Sequence, residues 1–287
     1  MTLFDSMRTV SIYSAITVTL LIWYGAASNP FRIGGLFLKE MVLNRKYMLH
    51  FVALMLILFC NKLELQIEST MTVTYDYAAF FHSIEGNFVK NLQDAFHNKY
   101  LTTFLGFMYV IVFQALLIAS IAIYTFQSKD RRMFYAVCYA VMIIYLVAIP
   151  FYLFLPVNEV WAYDPTVQFL MVTDHVFPNF ESQYRALSGI DNCFPSLHTA
   201  ISVTLSILAV RSGNKRWAWF CCTSAAIIIF SIFYLGIHWL IDMCGGVLLG
   251  VLASTIAMRL SSAQFSLRRS QRTLKRSNIN YVREDAK

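Results

Sequence analysis

The chain has 287 residues, 58% of them hydrophobic and 14% charged, with a formal net charge of +7. At this length that composition is too apolar for a soluble domain and assigns the chain to a membrane. The positive surplus is not a nucleic-acid signal, because it falls in short loops and a terminal tail where anionic lipid headgroups are the fitting partner.

Val10–Ala27 is the first run near the ~20 apolar residues that a bilayer crossing needs. It lacks a small-residue cleavage signature and reads as a retained helix. Tyr47–Cys60 is short, and spans only if Asn61–Leu65 extend it or the bilayer thins. In "TYDYAAFFHSIEGNFVKNLQDAFHN", Phe80, Phe81, Ile84, Phe88, Leu92 and Phe96 recur at three-to-four spacing among Asp76, Glu85, Lys90 and Asp94. This predicts an amphipathic helix in the interface, broken at Gly86. A covering lid suits it better than a catalytic role for His82 or Glu85.

Tyr100–Phe126 and Met133–Leu155 follow, the second kinked or ended by Pro150 and Pro156. The segment Pro156–Cys193 is too long for an idle connection, and Trp161, Tyr163, Phe169, Phe177, Phe180 and Tyr184 argue against disorder. It is expected to fold over the outer mouth. Phe194–Val210, Trp217–Leu235 and Trp239–Met258 bring the count to seven spans, an all-α polytopic transmembrane helix bundle. Gly246 and Gly250 form a G-x-x-x-G packing element on the last.

Of the 23 Lys and Arg, 18 fall in Ser28–Lys46, Gln127–Arg132, Arg211–Arg216 and Arg259–Lys287. By the positive-inside rule these segments are cytoplasmic, which puts the amino terminus outside and a basic tail, "SLRRSQRTLKR", inside. His50 lies toward the cytoplasmic side. Cys138, Cys221 and Cys222 are mid-span fillers, and no C-x-x-C spacing occurs. Cys60, Cys193 and Cys244 lie near the outer face, where a Cys60–Cys193 disulfide is one option that sequence does not fix.

Three ionisable residues sit at the outer ends of spans: His198, His238 and Asp242. An ionised group at the bilayer centre costs at least about 2.5–3.5 kcal/mol, so such residues point to function. His238 and Asp242 are four apart and share a helical face. The carboxylate can hold one imidazole nitrogen and leave the other as a nucleophile. In "CFPSLHTAIS", Pro195, Ser196 and His198 occupy a first helical turn, where backbone N–H groups and the dipole attract phosphate. Ser196 adds a hydroxyl, and His198 can protonate a leaving oxygen. A zinc site on these residues is the weaker option because no further Cys or His ligand stands beside the pair. A purely structural polar cluster is comparably weak.

These motifs resemble the PAP2 (type 2 phosphatidic acid phosphatase) superfamily, and within it the inositol phosphorylceramide synthase-like branch. "FPSLHTA" is similar to that branch's form of the P-S-G-H element, and "YLGIHWLIDMCGG" to its H-x-x-x-D element. The resemblance implies a six-helix core plus one amino-terminal helix: residues 1–46 as an added helix and cytoplasmic loop, 47–259 as the catalytic membrane domain, and 260–287 as the tail. It also implies His238 as the nucleophile forming a phosphohistidine and Asp242 as its orienting carboxylate. His198 becomes the acid and later the base, and Ser196 a phosphate ligand. The reaction would need no metal or cofactor and would act on membrane lipids at the extracytoplasmic surface.

The chain departs from the phosphatases of that superfamily at their S-R pair, where it has Ser231 and Ile232, and it lacks their K-x(6)-R-P element. A phosphoryl transition state still needs positive charge or strong donors. Arg185, the one basic residue of the loop before His198, is the proposed substitute, with Lys62, Lys90 and Lys99 as the other outer cations. The expected activity is transfer of a phospho-headgroup, inositol phosphate among the candidates, to a lipid or polyol hydroxyl. A lipid phosphate phosphatase is the alternative. A non-catalytic membrane protein or transporter is the third option, and it would tolerate His238→Ala.

Overall fold

The computed structural model describes residues 2–68, 70–71, 75–128, 130–185 and 189–284, with side chains through residue 263. All of its regular structure is helical: α1 Met7–Ala26, α2 Pro30–Leu43, α3 Arg45–Glu68, α4 Ala78–Glu85, α5 Phe88–Phe96, α6 Lys99–Gln127, α7 Arg132–Phe154, α8 Leu197–Arg211, α9 Lys215–Tyr234 and α10 Leu240–Glu284. Six of them (α1, α3, α6, α7, α9 and α10) are long and apolar enough to cross a bilayer, which makes this a multi-pass integral membrane protein.

The expected seventh span, α8, is a helix of 15 residues, shorter than the other six. At 1.5 Å per residue it is roughly 22 Å long, less than a hydrocarbon core. Ser196 and Thr199 at its start are fully buried. The short second run does extend: α3 continues through Glu68 and reaches 24 residues. α10 carries on past the expected end of the last span, so the backbone of the basic tail is helical while its side chains beyond residue 263 lie outside the described residues.

Short polar residues fix the helix starts. Asn29, Asn98, Asn214 and Ser196 accept backbone N–H bonds from the first turns of α2, α6, α9 and α8. One consequence corrects the expected register. With Ser196 as the cap, Pro195 lies outside α8 instead of at its first position.

α7, α8 and α10 form the centre of the bundle, with α9 against α8, α3 against α7, and α1 and α2 against α6. At one end, Asn214 donates to the Gly25 carbonyl at 2.7 Å, Gln127 to the Ser212 carbonyl at 2.8 Å, and Arg131 to Glu40 at 2.8 Å. These contacts gather the Lys/Arg-rich segments together. At the opposite end the described residues 156–185 cover the bundle, binding the α9–α10 turn through Val160, Trp161 and Leu170. The amphipathic segment joins it as two helices broken at Gly86, and Gln93 bridges the carbonyls of Gln168 and Tyr234. Pro150 sits inside α7, which runs on to Phe154. Cys60 and Cys193 are free thiols.

The G-x-x-x-G element is a packing device. A Cβ at Gly246 would lie 2.7 Å from the Ser196 carbonyl oxygen, and one at Gly250 would lie 2.6 Å from that of Ala200. α10 thus meets the backbone of α8 directly. Gly250→Val should cost about 1–3 kcal/mol by overpacking, read as a lowered unfolding temperature in detergent, whereas Gly34→Ala, inside α2 where a Cβ meets nothing within 4 Å, should not lower it and should raise it slightly through helix propensity.

Candidate active site

The site forms where α9 ends and α10 begins. Gly236 turns the chain with φ +83°, its α-carbon so close to the Gln168 carbonyl that a Cβ would sit 2.5 Å from it. The backbone N–H groups of Ile237 and His238 both donate to the Ile232 carbonyl at 3.1 Å, which fixes the loop carrying the histidine. His238 is therefore in the turn, not on the helix with Asp242 as the spacing suggested.

The pair still meets, because Asp242 is in the first turn of α10 and reaches back. Its Oδ2 accepts from the Trp239 backbone N–H at 2.8 Å and from His238 Nδ1 at 3.2 Å. The first of these is the reciprocal half of a capping box. Since a carboxylate only accepts, Nδ1 carries the proton and Nε2 keeps its lone pair. Ser196 Oγ lies 3.3 Å from that Nε2. Asp242 is fully buried and His238 nearly so.

A second carboxylate, which sequence reasoning placed on a lid, holds the same helix start. Glu85 accepts from the backbone N–H groups of Leu240 and Ile241 at 2.6 and 2.7 Å. Burial pushes its carboxyl up, and those two N–H bonds oppose the shift. In the sequence it is one charged residue among several on the polar side of an amphipathic stripe, a pattern that a covering lid alone explains.

His198 enters from the first turn of α8. Its ring stacks on Tyr109, centroids 4.1 Å apart at 17°, and lies 4.2 Å from Phe113. Tyr109 belongs to a π-helical turn, Met108–Val112, inside α6 and Phe113 follows it directly, an irregularity frequent at functional sites. The centroids of His198 and His238 are 6.1 Å apart.

Both histidines line a cavity of about 240 Å³ that also takes in Tyr109, Tyr145, Tyr152 and Tyr184. Asn61, Gln114, Glu159 and Asn192 supply the rest of its polar wall. Next to it, Asn192 Nδ2 donates to Glu64 at 3.2 Å and Glu68 at 3.3 Å, while one further oxygen on each of Asn61, Glu64, Glu68 and Asn192 is buried with no partner among the described residues. This wall is rich in acceptors. Asn61 and Glu64 carried no motif and were legible only as an extension of a short span.

Arg185 lies behind the wall. Its guanidinium donates to Glu159 at 2.6 and 3.0 Å, to Glu181 at 2.8 and 3.0 Å, and to the Gly189 carbonyl at 2.9 Å, against the rings of Phe169 and Phe180. Burial opposes its charge, but the two carboxylates outweigh burial and hold its pKa above the ordinary arginine value. Glu159 is pushed up by burial even so, and also accepts from the Trp161 indole N–H. The Tyr184 hydroxyl is pushed up to about 12 by burial. Lys90 pairs with Asp94 on the interfacial helix.

Ligand atoms of Cys193, His238 and Asp242 lie within 4.8 Å of one another. The thiol donates to the Ile237 carbonyl at 3.7 Å, and Asp242 Oδ2 already takes two N–H bonds. These contacts orient a histidine.

The family model described as PAP2 superfamily matches residues 80–256, more than half of the chain and all of the His198, His238 and Asp242 constellation. The chain belongs to the PAP2 superfamily, and so to a class of membrane enzymes with phosphatase- or phosphotransferase-type activity. Searches of curated proteins and of solved structures find no match.

Glu85→Ala should remove about 1 kcal/mol of stability, a typical capping loss, and lower kcat more than it raises KM, because it loosens the turn that aims His238. Glu85→Gln, which keeps one acceptor oxygen, should recover part of the rate.

Proposed function

We propose that this PAP2 protein is a phosphotransferase that moves a phospho-headgroup between lipids through a phosphohistidine on His238. The observation that carries this reading is the hold on one ring: Nδ1 is tied to Asp242, which leaves Nε2, 3.3 Å from Ser196 Oγ, as the nucleophilic nitrogen of a histidine that lines the same cavity as His198. In the first step Nε2 attacks the phosphorus of a lipid phosphoester, the phosphorus–oxygen bond to the leaving group breaks, and protonated His198 gives its proton to the departing oxygen. In the second step neutral His198 takes a proton from an acceptor hydroxyl as that oxygen attacks the phosphorus and the phosphorus–nitrogen bond breaks. Ser196 Oγ and the free N–H groups of the first turn of α8 are the groups that meet the phosphate oxygens.

The transferase reading, and with it an inositol phosphorylceramide synthase-like assignment, is supported by what stands at the S-R pair of the phosphatases, where the serine is kept and the arginine is not. Ile232 is buried and contributes its carbonyl to the His238 turn, and Ser231 donates to its own helix. The wall holds tyrosine hydroxyls and amides instead, groups suited to an acceptor with several hydroxyls. Arg185 is the proposed cation: Glu181, 47% exposed, is the partner that a substrate phosphate would displace, while Glu159 stays. The acidic-lipid partner of the basic tail and the extracytoplasmic placement of the cavity belong to the same proposal. They rest on the charge distribution along the chain.

The test is phosphorus NMR of detergent-purified protein with a lipid mixture containing phosphatidate, phosphatidylinositol-type lipids and polyprenyl phosphates. A new phosphodiester resonance is expected with the wild type and is expected to be absent with His238→Ala. Orthophosphate in its place would establish hydrolysis, and equal turnover in His238→Ala would overturn the mechanism. Arg185→Gln should slow turnover by about 10²-fold, the scale of losing a transition-state donor; unchanged turnover would remove Arg185 from the phosphate site.

A further inference from the structure

At the end of the bundle opposite the catalytic cavity, a second pocket of about 500 Å³ opens between α7, α8 and α10. Three arginines line it, one from each helix: Arg132, Arg211 and Arg259. None of them makes an ion pair among the described residues. Asp130, the carboxylate nearest in sequence, accepts from the Ser128 hydroxyl and the Arg132 backbone N–H. The Nε of Arg132 is buried with no partner among the described residues. Three guanidinium groups lining one pocket without an ion-pair partner among the described residues repel one another, a condition that an anion relieves.

The remaining lining selects the kind of anion. Ser254, Thr255 and Ser262 turn their hydroxyl protons to carbonyls of their own helix, so the pocket's donors are the arginines. Ile207 and Met258 supply apolar wall, and Val210, Ile256 and Leu260 on the same two helices are exposed apolar residues facing away from the core. An arginine-lined pocket with apolar wall, on helices whose exposed residues there are apolar, fits a phospholipid headgroup better than a free ion.

We propose that Arg132, Arg211 and Arg259 form a binding site for the phosphate headgroup of an anionic phospholipid, separate from the catalytic cavity and from the tail beyond residue 263. The bound lipid ties the start of α7 to the end of α8 and to α10, the three helices at the centre of the bundle. It does not depend on the chemistry proposed for His238.

The experiment is native mass spectrometry of the full-length protein released from micelles, titrated with dioctanoylphosphatidylglycerol, dioctanoylphosphatidylcholine or inorganic phosphate. The wild type should retain the anionic lipid about tenfold more tightly than the zwitterionic one, and Arg211→Gln/Arg259→Gln should remove most of that preference. Both residues are exposed, so the variant should keep its unfolding temperature in the absence of lipid. Arg132→Lys, which keeps the charge and loses the planar fork, should bind at an intermediate level. Equal retention of both lipids by the wild type would overturn the site. Loss of the preference in Arg268→Gln/Arg269→Gln/Arg272→Gln but not in the pocket variant would assign the lipid to the tail. Phosphate displacing the lipid at matched concentration would make the ligand a free anion and overturn the lipid assignment.

Discussion

The active end of this protein depends on how the first turn of α10 is satisfied. A helix start leaves several N–H groups without partners, and in an apolar interior each one left open is costly. Here two carboxylates fill them: Glu85 takes Leu240 and Ile241, and Asp242 takes Trp239. Asp242 is thereby held by the backbone of its own helix before it does anything for His238. The imidazole then binds an oxygen whose position is already fixed. A buried carboxylate that would otherwise carry a large desolvation penalty is stabilised by two N–H donors and the positive end of a helix.

The other half of the site is built by backbone contact. Gly246 and Gly250 let α10 press against the carbonyls of Ser196 and Ala200, and the Ser196 N–H in turn donates to the Asp242 carbonyl at 3.2 Å. Ser196, the cap of α8, therefore stands beside His238 because two helices touch there without side chains between them. The stack of His198 on Tyr109 fixes the second histidine from α6. Three separate stretches of chain converge on one cavity by packing, capping and stacking, none of which depends on the others' side-chain chemistry.

Much of this was legible in the sequence because a membrane makes ionisable residues conspicuous. His198, His238 and Asp242 stood out against apolar runs, and the six long helices followed from hydropathy. The opposite grouping of basic and aromatic segments followed from where lysine and arginine fall. What stayed hidden has physical reasons. Glu85 looked like the polar face of a lid, since its partners are backbone N–H groups 155 and 156 residues away. Tyr109 and Phe113 were two aromatics in an apolar span, and a π turn leaves no composition signal. The start of α8 is set by Ser196 taking the cap and excluding Pro195, a choice between adjacent residues that hydropathy does not resolve. Arg185 was found as a lone cation, but its commitment to Glu159 and Glu181 required the folded loop.

The central claim is that His238 Nε2 becomes covalently bonded to phosphorus. The direct measurement is rapid acid-free quenching of the wild-type protein during turnover of a lipid phosphoester, followed by mass spectrometry of the peptide containing residues 233–243. The account predicts a mass increase on His238 equal to the transferred phospho-headgroup, acid-labile and accumulating further in Asp242→Asn if breakdown slows more than formation. Phosphate carried by another residue, or turnover with the peptide unmodified at every quench time, would contradict it.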